Sequence, residues 1–144
     1  MDNSDIVGLL RAEGIDVTEI GTGEPRFWVG KFTIEENTWP AFLFLPPDSE
    51  YYTAFSPVIG EAFEKLISDQ PSEFLVKLFR ISSDAPLAKI EYMETNGKAV
   101  YCATSACAVS GASGKKLRRR MEACVKLASD LRGAFGQGGT AKQA

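Results

Sequence analysis

Pro86-Leu-Ala-Lys-Ile-Glu-Tyr-Met-Glu94, Thr95-Asn96-Gly97 and Lys98-Ala-Val-Tyr-Cys-Ala-Thr-Ser-Ala-Cys-Ala-Val109 read as two strands joined by a tight turn. Asn-Gly carries that reading, because a two-residue hairpin loop needs positive φ at both central positions. From Lys115 the apolar period changes from two to about 3.6. Leu117, Met121, Cys124, Val125, Ala128, Leu131 and Phe135 then fall on one helical stripe. Such a stripe needs an apolar surface to cover, and the preceding hairpin supplies one. This stretch sets architecture and says little about chemistry.

Upstream, Asn3 or Ser4 can cap a first helix whose apolar residues are Ile6, Val7, Leu9 and Leu10, with Gly14 in the place of a C-terminal stop. Ile15 to Ile20 alternates as a strand and Gly21-Thr-Gly23 turns it. Arg26 to Ile34 is a second strand, with Trp28, Phe32 and Ile34 toward the core and Phe27, Val29 and Lys31 away from it. Glu35-Glu-Asn37 forms a turn, and Trp39 to Leu45 a third strand ended by Pro46-Pro47. Asp48 to Ser56 reads equally as short helix or loop. Ser56-Pro57 has the look of an N-cap and first helical position. Val58, Ile59, Ala62, Phe63, Leu66 and Ile67 follow at helical spacing. After Gln70-Pro71 a further helical stripe contains Phe74, Leu75, Leu78 and Phe79.

The expected order is α-βββ-αα-ββ-α. Strands joined by short turns, with helices grouped apart, indicate an α+β fold: an antiparallel sheet of about five strands with helices mainly on one face. The chain of 144 residues suits a single domain over residues 1–135, with 136–144 expected to form a disordered C-terminal tail.

Composition narrows the function classes. A net charge of −3 gives no bulk attraction for nucleic acid or anionic membrane. No apolar run approaches the roughly 18 residues of a membrane span. The acidic start, Met1-Asp-Asn-Ser-Asp5, is unlike a secretory leader, so the cytoplasm is the expected location. Cys102, Cys107 and Cys124 are odd in number and too few for a disulfide framework. Cys102 and Cys107, five apart on one strand, should point to opposite faces. Cys107 and Cys124 could meet between helix and sheet, but free core thiols are the expectation.

The chain has no histidine, which removes the commonest general base and the Ser-His and Cys-His nucleophile pairs. Glu61 and Glu64 stand at i, i+3 without the histidine a di-iron motif needs, and read as a solvated face. Gly111-Ala-Ser-Gly-Lys-Lys116 imitates a P-loop, but Val109 stands where its first glycine belongs and Lys116 where its Ser or Thr belongs. Ser113 and Lys116 match S-x-x-K without its companion motifs, so Ser113 is expected to cap the last helix. No catalytic residue, cofactor or metal site is expected.

Two features point to binding. Phe27, Phe42 and Phe44 fall on the outward side of their strands, where an apolar patch would mark an interface. Lys115, Lys116, Arg118, Arg119 and Arg120 crowd the first turns of the last helix, where each cation opposes the helix dipole by about 0.3 to 1 kcal/mol. Neutralising Arg118, Arg119 and Arg120 is therefore expected to preserve or raise stability while weakening contact with a partner.

The segment Phe74-Leu-Val-Lys-Leu-Phe-Arg-Ile-Ser-Ser-Asp-Ala-Pro-Leu-Ala-Lys-Ile-Glu-Tyr92, the Asn96-Gly97 hairpin and the Leu/Ala-rich closing helix resemble the YbjN-like family of candidate bacterial sensory transduction regulators. That family is similar in fold to type III secretion chaperones. The resemblance covers about residues 55–135 and is topological before that. It implies a small homodimeric adaptor or chaperone without enzymatic activity, and it carries over no functional residue. The Ser110-Gly-Ala-Ser-Gly114 loop and the basic turn after it depart from the acidic start expected of relatives.

The leading expectation is a non-catalytic protein-binding module, chaperone-like or regulatory, acting as a homodimer on a protein partner or secreted client. Neither a membrane nor nucleic acid is its expected partner. The alternative is a nucleic-acid- or anion-binding regulator that uses the basic start of the last helix.

Overall fold

The computed structural model describes residues 5–21, 23–58, 71–83, 85–95 and 98–134. Its elements run α1 (Ile6–Arg11), β1 (Val17–Ile20), β2 (Arg26–Ile34), β3 (Asn37–Leu45), β4 (Tyr51–Val58), α2 (Pro71–Ser83), β5 (Lys89–Thr95), β6 (Lys98–Ala108) and α3 (Gly114–Ala134). The strands form one antiparallel sheet in the order β1-β2-β3-β4-β6-β5. The class is α+β, as the pattern of elements implied. The helical stripe expected over 58–67, Glu61 and Glu64, and the tail 136–144 lie outside the described residues, apart from Val58.

The 86–109 hairpin pairs from Lys89↔Thr104 to Thr95↔Lys98; Asn96 and Gly97 lie outside the described residues. The stripe of α3 behaves as its spacing requires: Leu117, Met121, Cys124, Val125, Ala128 and Leu131 are all fully buried. Phe135 lies outside the described residues. α3 covers β4, β6, β3 and β2, while α1 packs on β1 and α3, and α2 on α3. The inner face of the sheet beneath α3 carries Trp28, Phe32, Trp39, Leu43, Tyr52 and Ala54. Tyr52 meets Trp28 edge-on at 6.2 Å between ring centres. Burying side chains of this size stabilises a fold by about 1.5 to 3 kcal/mol apiece before conformational entropy is subtracted.

Two glycines stand where a larger residue is disfavoured, one for want of space and one for its backbone angle. A Cβ on Gly114 would lie 2.5 Å from the Leu9 carbonyl oxygen, so α3 begins against the backbone of α1. Gly14 ends the turn after α1 at φ +87°, where other residues are strained.

The segment 48–58 corrects the sequence reading. Tyr51–Val58 is a central strand, and Ser56-Pro57 belongs to it, not to a helix start. The pattern misleads because the core side bears Tyr52, Ala54, Ser56 and Val58, while Tyr51 and Phe55 point outward. Small and polar residues on the buried face erase the usual alternation. A central proline is tolerated here because the β3–β4 ladder stops at Phe42↔Phe55, before Pro57 is reached. Ser56 Oγ instead donates to the Pro40 carbonyl at 2.8 Å, holding the strands together where neither proline has an N–H. The sheet thus has one strand more than about five.

Glu35 and Glu36 form the two-residue turn between β2 and β3 at φ +48° and +72°. Both positions favour Asn and Gly, so this turn is strained by its own sequence.

Candidate functional site

The outward face of the sheet is built by strand alternation. Register places Ile20, Phe27, Phe44 and Thr53 in one cross-strand row, and Thr18, Val29, Phe42, Phe55 and Thr104 in the next. Phe27 stacks on Phe44 at 4.6 Å between ring centres, and Phe42 on Phe55 at 5.0 Å. The four rings are half-buried, whereas Ile20 and Tyr51 beside them are 45% and 53% exposed. All three described helices pack on the opposite side. The structure therefore brings together Phe27, Phe42 and Phe44, and adds Phe55, which sequence reading missed with its strand.

Polar groups edge this patch. Lys31 is exposed on β2, and Lys89 lies 3.3 Å from Glu91 on β5. Thr104 Oγ1 donates to Glu91 Oε1 at 2.8 Å, and that bond, aided by Lys89, holds the Glu91 carboxyl below its ordinary range. An apolar centre with a charged rim is the usual anatomy of a protein contact surface. A second exposed apolar pair, Val76 and Phe79, lies one turn apart on α2.

The basic start of α3 divides into two groups. Arg118 Nη1 donates to the Glu13 carbonyl at 2.6 Å, and Nη2 lies 3.8 Å from Glu122. Arg118 thus ties the end of α1 to α3. The sequence grouped Arg118 with Arg119 and Arg120 and gave no sign of this contact. Arg119 and Arg120, with Lys116, instead line a cavity of about 340 Å³ whose other walls are Leu87, Cys107, Ala108, Ser110 and Gly111. Ser113 caps the helix, its Oγ accepting from the Lys116 backbone N–H at 3.2 Å.

The thiols are free and buried. Pairing sets Cys102 outward, opposite Pro57 and Glu91, and Cys107 inward, opposite Tyr52. Burial pushes Cys102 up to about 11 and Cys124 to about 12. Burial also raises Cys107, against the pull of Arg120 and Lys116. Thiols shifted this way stay protonated near neutrality and are poor nucleophiles. Cys124 Sγ rests 3.5 Å from the Ala54 carbonyl, so it belongs to the helix–sheet interface. Among the described residues, no group of three or more His, Cys, Asp or Glu could hold a metal ion, and no helix is long and apolar enough to cross a membrane.

On the inner face, Glu19 receives both Arg26 Nε at 3.0 Å and Nη2 at 2.8 Å, while the Arg26 guanidinium lies 4.7 Å from the Trp28 ring centre. The forked hydrogen bond holds the Glu19 carboxyl below its ordinary range. This cluster braces the β1–β2 edge.

No sequence-family model matches the chain, and no curated protein matches it in sequence. Solved structures do match in shape. E. coli YbjN, described as a candidate transcription regulator, superposes with a TM-score of 0.51 at 12% identity, over 95% of this chain and 94% of that one. The fold is YbjN-like. An uncharacterized protein from Methanothermobacter thermautotrophicus shares it with a TM-score of 0.70, again at 12% identity, over 95% of this chain and 98% of its own. At 95% of this chain, the likeness in shape reaches beyond the stretch of about residues 55–135 that carried the sequence resemblance.

Proposed function

We propose that this chain is a non-catalytic regulatory or chaperone-like adaptor that holds another polypeptide on the aromatic face of its sheet, with two copies forming the working unit. The observation that carries the proposal is the pair of stacked rings, Phe27–Phe44 and Phe42–Phe55, on the side of the sheet opposite the described helices. Rings locked by mutual stacking present apolar area with little rotamer freedom left to lose on binding. Lys31, Lys89 and Glu91 at the margin suit a polypeptide partner with an apolar centre and mixed charge. The shared fold with YbjN agrees with a regulatory role, and the protonated thiols disfavour nucleophilic chemistry. The expected setting is the cytoplasm.

The test combines sedimentation of the pure protein with crosslinked pull-down from its native host. Wild-type protein is expected to sediment as a dimer and to retain a defined polypeptide. Phe42→Ser with Phe55→Ser is expected to lose that polypeptide while keeping its circular dichroism spectrum. A monomer that retains nothing, or turnover of a small molecule by the pure protein, would refute the proposal.

A further inference from the structure

We infer that the cavity at the junction of β6 and α3 is a binding site for the phosphate group of a small molecule, held by Lys116, Arg119 and Arg120. Three residues at i, i+3 and i+4 share one helical face, so their cationic ends converge on the same space. The lining contains no carboxylate. Two other cations of the helix do have a carboxylate one turn on: Arg118 has Glu122 and Lys126 has Asp130. The residues four positions beyond Lys116, Arg119 and Arg120 are Arg120, Ala123 and Cys124. Among the described residues, no carboxylate pairs with any of the three. The cavity thus gathers three cations with no carboxylate beside them.

The site is also organised. Ser105 Oγ donates to the Leu87 carbonyl and accepts from Arg120 Nη1 at 3.4 Å, which orients the guanidinium from β6. Lys116 Nζ donates to the Gly111 carbonyl at 3.1 Å, at the lip of the cavity, and Gly111 makes its turn at φ +82°. These cations stand at the positive end of a 21-residue helix, where they repel the dipole and one another, and an anion would relieve both. A dianion answers three cations better than a single carboxylate does.

Size restricts the ligand further. About 340 Å³ lies at the lower end of the roughly 300–1,000 Å³ typical of small-molecule sites. It exceeds the volume of one phosphate and leaves room for a short organic body against Leu87, Cys107 and Ala108. It is a recess, not the open basic stripe along which a nucleic-acid backbone lies. The cavity lies on the helix side of the sheet, so it does not depend on the aromatic face.

The test is a titration of the intact chain with inorganic phosphate and then pyrophosphate, followed by backbone amide NMR at constant ionic strength. Saturable shifts at Ser110, Gly111 and Lys116 are expected, with acetate producing none. Arg119→Gln, whose side chain is exposed, and Arg120→Gln should each weaken binding by about tenfold, as expected for loss of a charge-assisted hydrogen bond. Lys126→Gln should leave binding unchanged. Absence of saturable shifts with both anions, or shifts that survive Arg119→Gln, would overturn the inference. So would a single-stranded oligonucleotide of phosphodiesters that binds the same residues more tightly than pyrophosphate, since that would mark a nucleic-acid surface.

Discussion

The two faces of this sheet come from the same strands and the same alternation, yet they do different physical work. Inward, Trp28, Leu43 and Tyr52 are fully enclosed by α3 and their neighbours. Outward, Phe27, Phe42, Phe44 and Phe55 stack in pairs and stay half-buried. Hydrophobicity does not separate the two sets; what covers them does. A face closed by a helix stabilises the monomer, whereas the other shows ring stacking among the described residues and, on the function proposed above, offers its apolar area to a partner.

Leu43→Ala and Phe42→Ala, adjacent on β3, probe that contrast most strongly. Leu43→Ala should cost about 2–5 kcal/mol by leaving a cavity under α3. Phe42→Ala should cost about 1 kcal/mol, chiefly the lost stacking, yet abolish partner capture. Denaturant midpoints at unchanged m-value would measure both, and equal losses would erase the distinction between the faces.

The junction of α1 with α3 is next. Gly114→Ala forces a methyl group against the Leu9 carbonyl, a backbone atom that cannot rotate away. A loss of about 1–3 kcal/mol is expected, read as a fall in thermal midpoint. Within the basic turn, Arg118→Ala should cost about 1 kcal/mol by orphaning the Glu13 carbonyl, while Arg119→Gln should cost nothing measurable. A matching loss at both positions would show that the two groups of cations are not distinct.

Alkaline pH probes buried thiols on both faces, Cys102 outward and Cys124 between α3 and the sheet. Unfolded thiols ionise near 9.0, whereas Cys102 and Cys124 are raised to about 11 and about 12 in the fold. Above about 9 the unfolded chain therefore binds fewer protons than the native one, and stability falls as pH rises from there toward about 12. Cys124→Ala should flatten that limb of the stability–pH curve. Acid acts on the Glu19–Arg26 pair in the opposite sense. With the folded carboxyl held below 4.5, its contribution is present above that value and fades as pH drops through the folded pKa. Glu19→Gln should remove this dependence. A gain of about 1 kcal/mol is expected from Glu35→Asn with Glu36→Gly, which relieves positive φ at the β2–β3 turn.

Local pattern was enough for most of the scaffold. The Asn96-Gly97 spacing, the α3 stripe, the Ser113 cap and the inward set Trp28, Phe32 and Ile34 follow from periodicity and turn chemistry, which act over a few residues. β4 was not legible in that way. Its buried face mixes Tyr52 and Val58 with small Ala54 and polar Ser56, and its Pro57 is acceptable because the β3–β4 ladder stops short of it.

The candidate sites divide along the same line. Phe27, Phe42 and Phe44 were placed outward by alternation alone. Their partner Phe55, the pairing of rings across strands, and the separation of Arg118 from Arg119 and Arg120 arise between elements far apart in the chain. Alternation and helical spacing are backbone geometry, so sequence carries them directly. Which face a helix covers, and which cations meet a carbonyl and which a cavity, depends on where segments about a hundred residues apart come to rest, and only the packed chain decides that.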